Sequence, residues 1–166
     1  MRIFLAITLV LCVFSGCKQQ KRPDGFPDLF PCVLKITQEE KPLEGAMVRL
    51  IGESGSSEWI ISGRTDANGA AKIFTHADFA GAPEGTFKVC ISKNEAESSK
   101  YVEPADNMSQ EWKEWRVKTS EEKLATYRYV KSEYENPRQT PHSITITKGK
   151  NEATFDVGEP IKEEIK

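Results

Sequence analysis

Short runs of alternating apolar and polar residues, separated by turn residues, occupy most of this chain after residue 31. In the clearest run, over residues 86–93, Phe87, Val89 and Ile91 alternate with polar neighbours. Successive side chains of a β-strand point to opposite faces, so this alternation is typical of strands with one buried face. Because no long helical pattern separates the runs, we expect an all-β, antiparallel sandwich. The remaining runs predict strands over residues 32–37, 46–51, 59–64, 70–75, 126–130, 143–147 and 153–157.

Two turn sequences are expected to join neighbouring strands as hairpins. Residues 65–69 read Thr-Asp-Ala-Asn-Gly, and residues 148–151 read Lys-Gly-Lys-Asn. Asn and Gly tolerate the positive φ angles that tight turns need. Residues 66–69 also bear a likeness to a calcium loop, but the spaced acidic ligands and terminal glutamate of such a loop are absent. We therefore interpret them as a hairpin turn.

The stretch from residue 94 to about residue 125 interrupts the strand pattern. It is rich in Glu, Lys and Ser and contains the breakers Pro104 and Asp106. Ser109 is a good helix cap, and the residues after it place Trp112 and Trp115 on one face of a short helix. We interpret the stretch as a partly helical insertion before the last strands. Its two tryptophans either pin the insertion onto the sandwich or belong to an exposed aromatic surface.

A secretory signal is expected over residues 1–16. Arg2 is followed by a mostly apolar run, too short to span a bilayer, and then by two small residues and Cys17. This ending resembles a bacterial lipobox, in which a diacylglycerol is attached to the cysteine. The resemblance implies that Cys17 carries lipid and that residues 17–31 tether the domain to a membrane. The alternative is an ordinary cleaved signal with an unrelated cysteine.

The rest of the chain is long enough for one domain, which we expect over residues 32–158, followed by a charged, frayed tail over residues 159–166. Without the signal, about a third of the residues are apolar, enough for one modest core. The chain carries 23 Lys and Arg against 25 Asp and Glu, with both signs mixed along it, so no basic stripe supports nucleic-acid binding. No second apolar run is long enough for a transmembrane helix, so membrane attachment is expected through the lipid alone.

The sequence alone does not decide whether Cys32 and Cys90 form a disulfide. An extracytoplasmic location permits the bond. Strand parity disfavours it, because Cys32 shares a face with Leu34, which we assign to the inside, whereas Cys90 points outward with Lys88. The bond would therefore need a bulge in one of the two strands.

Four pieces of the chain carry a resemblance to a family. They are residues 41–46 (Lys-Pro-Leu-Glu-Gly-Ala), residues 65–69, residues 85–89 (Gly-Thr-Phe-Lys-Val) and residues 148–157. Together they resemble a carboxypeptidase regulatory-like domain of the transthyretin-like group, and with the lipobox they are similar to predicted secreted lipoproteins of planctomycete-like bacteria. The resemblance skips the insertion and implies a single seven-stranded Greek-key sandwich of the transthyretin-like (prealbumin-like) type. Because the family's functions are diverse, it implies a fold and an envelope location only.

We expect no enzyme activity, because no constellation of residues supports catalysis. The transthyretin-like group includes ring-opening hydrolases, but resemblance to them would need a closing Tyr-Arg-Gly-Ser segment, and residues 127–130 read Tyr-Arg-Tyr-Val. His76 and His142 are interpreted as solvated loop residues. Cys90 lacks a nearby base in the sequence, and no set of metal ligands is evident. No catalytic residue, metal or cofactor is therefore expected.

The function expected from these features is that of a non-enzymatic lipoprotein of the cell envelope, periplasmic or in the outer membrane, acting as a structural or interaction module. Its expected partners are the membrane, through the N-terminal lipid, and an envelope protein or a glycan. The alternative is a carbohydrate- or small-ligand-binding module that uses aromatic residues in or beside the insertion. The residues of that candidate binding surface are Trp112, Trp115, Tyr127 and Tyr129.

Overall fold

The computed structural model describes residues 22–52 and 59–165, in which strands predominate, as the alternation predicts. The predicted signal peptide and Cys17 lie outside the described residues. A helix, α1, spans Gln110–Ser120, and a 3₁₀ helix spans Ser132–Tyr134. The strands are β1 (Leu29–Phe30), β2 (Cys32–Gln38), β3 (Lys41–Pro42), β4 (Met47–Gly52), β5 (Ile61–Arg64), β6 (Ala70–Lys72), β7 (Phe74–Thr75), β8 (Phe79–Ala80), β9 (Ala82–Pro83), β10 (Gly85–Ser92), β11 (Asn94–Ala96), β12 (Thr126–Arg128), β13 (Ser143–Ile146), β14 (Asn151–Asp156) and β15 (Glu163–Glu164).

Two larger sheets enclose the apolar core. One has six strands in the order β13-β10-β4-β5-β7-β8, and in the other β2 lies between β14 and β3 and also pairs with β6. Leu34 on β2, Leu50 on β4 and Val89 on β10 are fully buried in one hydrophobic cluster, to which both sheets contribute. Burying an apolar side chain of this size stabilises the fold by roughly 1.5–3 kcal/mol. The two sheets thus pack as in a β-sandwich, and most of their strand pairs are antiparallel, as expected.

One strand pair is parallel, contrary to the expectation. β14 runs parallel to β2, beginning with Asn151 opposite Cys32, whereas β13 pairs with β10 in the other sheet. The predicted turn at residues 148–151 therefore joins two sheets and does not close a hairpin. The buried Asn151 amide holds this crossover, because its oxygen accepts from the Thr147 N–H at 3.0 Å and its nitrogen donates to the carbonyls of Thr147 and Gly149 at 3.0 and 3.2 Å.

The strand predicted over residues 70–75 divides between the two sheets. β6 pairs with β2, whereas β7 pairs with β5. Between them, Ile73 is fully buried, and its N–H donates to the Cys32 carbonyl at 3.0 Å. The chain therefore passes from one sheet to the other at Ile73, and the predicted hairpin keeps only the β5–β7 pairing and a bridge between Thr65 and Ala71.

The turn within residues 65–69 is confirmed. Asp66 Oδ1 accepts hydrogen bonds from the N–H groups of Asn68 and Ala70 at 2.8 and 2.9 Å. Gly69 has a φ of 73°, and its N–H donates to the Asp66 carbonyl at 2.9 Å. The Asp66 carboxylate thus bonds to the backbone of its own turn, as short acidic side chains commonly do.

Part of the predicted tether is docked on the domain. The Phe26 ring lies 4.9 Å from the Trp59 ring and 4.6 Å from the Phe79 ring, measured between centroids. A few residues further on, β1 pairs with β9. The tether expected over residues 17–31 is therefore attached to the sandwich from Phe26 onward, because aromatic contacts and a strand pair hold it.

The C-terminal tail also pairs, so the expectation that it frays is wrong. β15 pairs antiparallel with β12, and the Ile165 N–H donates to the Thr126 carbonyl at 2.8 Å. The ammonium group of Lys162 lies 4.3 Å from the centroid of the Tyr127 ring. The tail thus belongs to the same small sheet as β12.

Candidate functional site

The insertion forms a unit with a sheet of its own. β12 lies between β11 and β15 in a three-stranded antiparallel sheet, and α1 lies between β11 and β12 in sequence. We call residues 94–129 together with β15 the insertion arm. The arm joins the sandwich at the end of β10, where the Tyr129 N–H donates to the Lys93 carbonyl at 2.8 Å and Gln38 Nε2 donates to the Tyr129 carbonyl at 3.0 Å.

The helix of the arm begins where the sequence predicts. Ser109 Oγ accepts a hydrogen bond from the Trp112 N–H at 3.0 Å and so satisfies one of the donors left free at a helix start. The ring centroids of Trp112 and Trp115 lie 6.4 Å apart with 35° between the ring planes. The predicted cap and the common face of the two tryptophans are both confirmed.

The two tryptophans pack within the arm and not on the sandwich. Trp115 Nε1 donates to the Tyr101 carbonyl at 3.2 Å, and the Arg116 guanidinium carbon lies 5.0 Å from the centroid of the Trp112 ring. Neither indole belongs to the core cluster or to the partly buried residues that pack against it. The interpretation that the pair pins the insertion onto the sandwich is therefore wrong.

Apolar surface is concentrated on the arm. Three of its side chains, Val102, Met108 and Val117, are 90, 82 and 59% exposed, and α1 contains no buried residue. Trp112 Nε1 is itself shielded from solvent and has no hydrogen-bond acceptor among the described residues. Leaving a buried donor unpaired costs about 1–3 kcal/mol.

The tyrosines of the candidate surface form a second pair. Tyr127 and Tyr129 are two residues apart at β12, which places them on one side of the strand. The Tyr127 hydroxyl donates to Glu97 Oε1 at 3.2 Å, and this hydrogen bond and the charge of Glu97 raise the pKa of Tyr127. Lys162 lies over the Tyr127 ring and Lys93 over the Tyr129 ring. Among the described residues no ring contact joins this pair to the tryptophan pair.

His142 is not a solvated loop residue, contrary to the prediction, whereas His76 is exposed. The His142 ring stacks on Tyr134 with centroids 5.3 Å apart and lies 4.9 Å from the Phe155 ring. Its Nε2 is 2.9 Å from the Asp156 carbonyl oxygen. Because Tyr134 and Phe155 pack against the core, His142 contributes to closing the sandwich beside β13 and β14.

Asp156, at the end of β14, has a carboxylate held by three donors. Oδ2 accepts from the Thr37 hydroxyl at 2.7 Å and from the Glu40 N–H at 3.0 Å, and Oδ1 accepts from the Gly158 N–H at 2.7 Å. Partial burial alone would raise the pKa of Asp156, but these hydrogen bonds and the nearby His142 outweigh it and lower the pKa below the usual range. The folded state therefore favours the charged form of Asp156.

We expect Asp156→Asn to lower the free energy of unfolding by about 1 kcal/mol near neutral pH, because an amide offers fewer acceptors and no charge, while solvent screens part of the effect. A carboxyl whose pKa is lowered by folding stabilises the protein fully above its unfolded pKa, and this contribution is lost as the pH falls through the folded value. Urea unfolding at neutral pH and below about pH 4 checks this. A difference that is as large in acid as at neutral pH would contradict the role of the charge.

Cys32 and Cys90 are both free thiols. Cys32 lies in the core cluster, whereas Cys90 lies outside it on the other face of β10, in agreement with the strand parity. Cys90 is nevertheless only 2% exposed, so its predicted outward position is covered by neighbouring side chains. Burial raises the pKa of Cys32 to about 11 and also raises that of Cys90, which Arg49 partly opposes. Both thiols therefore stay protonated near neutral pH and are weak nucleophiles.

Within the described ranges, no group of three or more His, Cys, Asp and Glu side chains is placed to hold a metal ion. Among residues 22–52 and 59–165, no helix is both long enough and apolar enough to cross a membrane. No protein-family model, curated protein or solved structure matches the chain.

Proposed function

We propose that this protein is a non-enzymatic, membrane-anchored lipoprotein of the bacterial cell envelope that binds a partner protein through the insertion arm. The observation that carries this proposal is the exposure of the apolar side chains Val102, Met108 and Val117 on the arm. A partner laid against the arm would bury Val102, Met108 or Val117. Tryptophan and arginine dominate the centres of protein interfaces, and Arg116 lies beside Trp112.

In this proposal the domain that carries the arm is a seven-stranded Greek-key sandwich of the transthyretin-like type. The strand count supports this fold. The two large sheets contain seven longer strands when β6 and β7, which follow each other around the bend at Ile73, are counted as one. The pairing of β14 with β2 also places the last of these strands beside the first. The seven strands are β2, β4, β5, β6 with β7, β10, β13 and β14.

The lipid anchor rests on the sequence that ends in Cys17. Growth of a bacterial host with an alkyne-labelled palmitate should label the protein and leave it in the membrane fraction, and mass spectrometry should find the acyl groups on Cys17. Cys17→Ala should lose the label and be released from the membrane. An unmodified, freely diffusing mature chain, or a Cys17→Ala protein that still partitions with membranes, would contradict the anchor.

Site-specific photo-cross-linking tests the arm. A photoreactive amino acid in place of Val117 should yield one adduct of discrete mass in the envelope, because Val117 lies on the exposed side of α1. Thr154, exposed on β14 of the sandwich, is the matched control position and should yield none. Adducts of equal yield at both positions, or at neither, would contradict binding through the arm.

The alternative is a carbohydrate- or small-ligand-binding module, favoured by the two indole rings held 6.4 Å apart on one helix face. Aromatic rings of this kind present an apolar body with a polar tip, which suits recognition of a ligand that has both characters. Binding to a glycan array that is lost in a chain carrying Trp112→Ala and Trp115→Ala would support this alternative over a protein partner.

The absence of enzymatic activity is part of the proposal. Both thiols are buried and protonated near neutral pH, and His142 Nε2 is engaged with the Asp156 carbonyl. A nucleophile needs an adjacent base within hydrogen-bond reach. Within the described residues, no hydrogen bond joins the thiol of Cys32 or Cys90 to a base.

A further inference from the structure

The outward-facing side of the six-stranded sheet is a surface of one charge sign. We call this surface the outer sheet face. The strand registers show which residues belong to this face. The hydroxyls of Thr86 and Thr145, for example, lie 3.1 Å apart on it. Its side chains are Ser143 and Thr145 of β13, Thr86, Lys88, Cys90 and Ser92 of β10, Met47, Arg49 and Ile51 of β4, Ser62 and Arg64 of β5, Phe74 of β7 and Ala80 of β8.

Three of these residues, Arg49, Arg64 and Lys88, are basic, and none is acidic, although the chain as a whole has slightly more acidic than basic residues. Arg49 and Arg64 are exposed, and Lys88 is partly exposed. None of the three takes part in a salt bridge or a side-chain hydrogen bond recorded among residues 22–52 and 59–165. Within those residues, no acidic side chain neutralises any of the three.

Solvation alone does not select one sign of charge. The outward side of the other sheet carries both signs, with Lys35 on β2 and with Glu152 and Asp156 on β14. A sheet face that needed only to be soluble would be expected to mix them in the same way. The outer sheet face instead has the charge that complements an anionic surface.

We propose that the outer sheet face rests on an anionic lipid bilayer, with Arg49, Arg64 and Lys88 contacting the headgroups. The choice of a membrane as the partner rests on the lipid anchor of the proposed function. Because the chain is docked from Phe26 onward, only eight residues separate Cys17 from the docked part of the chain. Such a tether reaches at most about 30 Å, which keeps the domain beside the bilayer.

The size of the effect follows from the number of cations. Each Lys or Arg near an anionic leaflet raises the ratio of protein with the face bound to protein with the face unbound about fivefold. Three together raise this ratio on the order of 100-fold. A bilayer is broad, and the outward side of a six-stranded sheet offers it a broad surface. Met47 and Ile51, between the basic residues, add apolar area that headgroups can cover.

A fluorophore attached after Ser143→Cys reports on the outer sheet face, and one attached after Thr154→Cys reports on the opposite sheet. Cys32 and Cys90 are each 2% exposed and stay unlabelled. The acylated full-length mature protein is mixed with vesicles of phosphatidylglycerol and phosphatidylcholine, or of phosphatidylcholine alone, each containing a lipid with a spin-labelled headgroup. We expect quenching at position 143 only, with the anionic vesicles only, and its loss in about 1 M salt, where the Debye length is about 3 Å.

The variant Arg49→Gln, Arg64→Gln, Lys88→Gln should lower the ratio of quenched to unquenched protein on the order of 100-fold. The matched control Lys35→Gln, Lys41→Gln, Lys148→Gln removes three exposed lysines elsewhere and should lower it far less. Equal quenching at both probe positions, or quenching that survives the first variant, would overturn the inference. Binding of the face to polyglutamate, with no quenching by either kind of vesicle, would also overturn it, in favour of an acidic protein.

Sedimentation of the same vesicles separates the two proposals. Protein that sediments with the anionic vesicles only, and is quenched at position 143 there, would contradict the anchor and support the sheet face. Protein that sediments with both kinds of vesicle but is quenched at neither position would support the anchor and overturn the sheet face.

Discussion

Leu50→Ala is expected to lower the free energy of unfolding by about 2–5 kcal/mol. Leu50 lies at the centre of β4, fully buried, between Val89 of β10 and Ile61 of β5 in the strand register. Truncation removes the transfer energy of the lost methyl and methylene groups and leaves a cavity that paired strands on both sides prevent from closing. Urea-induced unfolding followed by circular dichroism measures the change.

Leu124→Ala removes the same atoms from the insertion arm and is the matched control. Leu124 is 38% exposed and does not belong to the core cluster. We expect a loss of about 1 kcal/mol or less, as is usual for surface substitutions. Equal losses for the two variants would mean that the arm and the sandwich share one core, which contradicts the structure described here.

Gly69→Ala is expected to destabilise the protein by about 3 kcal/mol or more. Gly69 has a φ of 73°, and an added Cβ would lie 2.5 Å from the Ile36 carbonyl oxygen. That oxygen accepts a hydrogen bond from the Leu43 N–H at 3.0 Å, so it is not free to move away. Strain in the backbone and a steric clash therefore add together at this position. Thermal and urea unfolding of the variant measure the loss.

Gly45→Ala separates these two contributions. Gly45 has nearly the same φ, 74°, but an added Cβ there would meet nothing within 4 Å. Only the cost of a left-handed backbone remains, roughly 1–2 kcal/mol. If Gly45→Ala destabilised the protein as much as Gly69→Ala, close packing of the turn against β2 would not be the cause.

Local patterns predicted the strands well, because burial on one face leaves a period of two in the sequence. Phe87, Val89 and Ile91 are all buried on β10 as their alternation indicates. The cap at Ser109 was also predictable, since it depends on residues within one helical turn. These features need no knowledge of the rest of the fold.

Features that depend on distant partners were not predictable. The break at Ile73 and the parallel pairing of β14 are decided by which sheet offers a free edge, and a single strand's sequence does not contain that information. His142 was predicted to be a solvated residue because its stacking partners, Tyr134 and Phe155, lie elsewhere in the chain. Phe26 lies in a proline-rich stretch typical of a tether, and its docking depends on Trp59 and Phe79.

In the candidate site, too, local features were predictable from sequence and features that depend on distant residues were not. Helical spacing placed Trp112 and Trp115 on one face, and the structure confirms it. The grouping of these residues with Tyr127 and Tyr129 into one surface could not be judged from sequence, since it depends on how α1 and β12 are placed within the arm. The basic outer sheet face was likewise hidden, because Arg49, Arg64 and Lys88 come from three different strands.

The central claim is that the arm is a binding element carried by a sandwich that is stable without it. The most direct test is the thermal unfolding of the double variant Trp112→Ala, Trp115→Ala, followed by the far-ultraviolet circular dichroism of the strands. An unfolding midpoint equal to that of the unchanged protein, together with loss of the Val117 cross-link, is the predicted result. A drop in the midpoint as large as that of Leu50→Ala would contradict the claim.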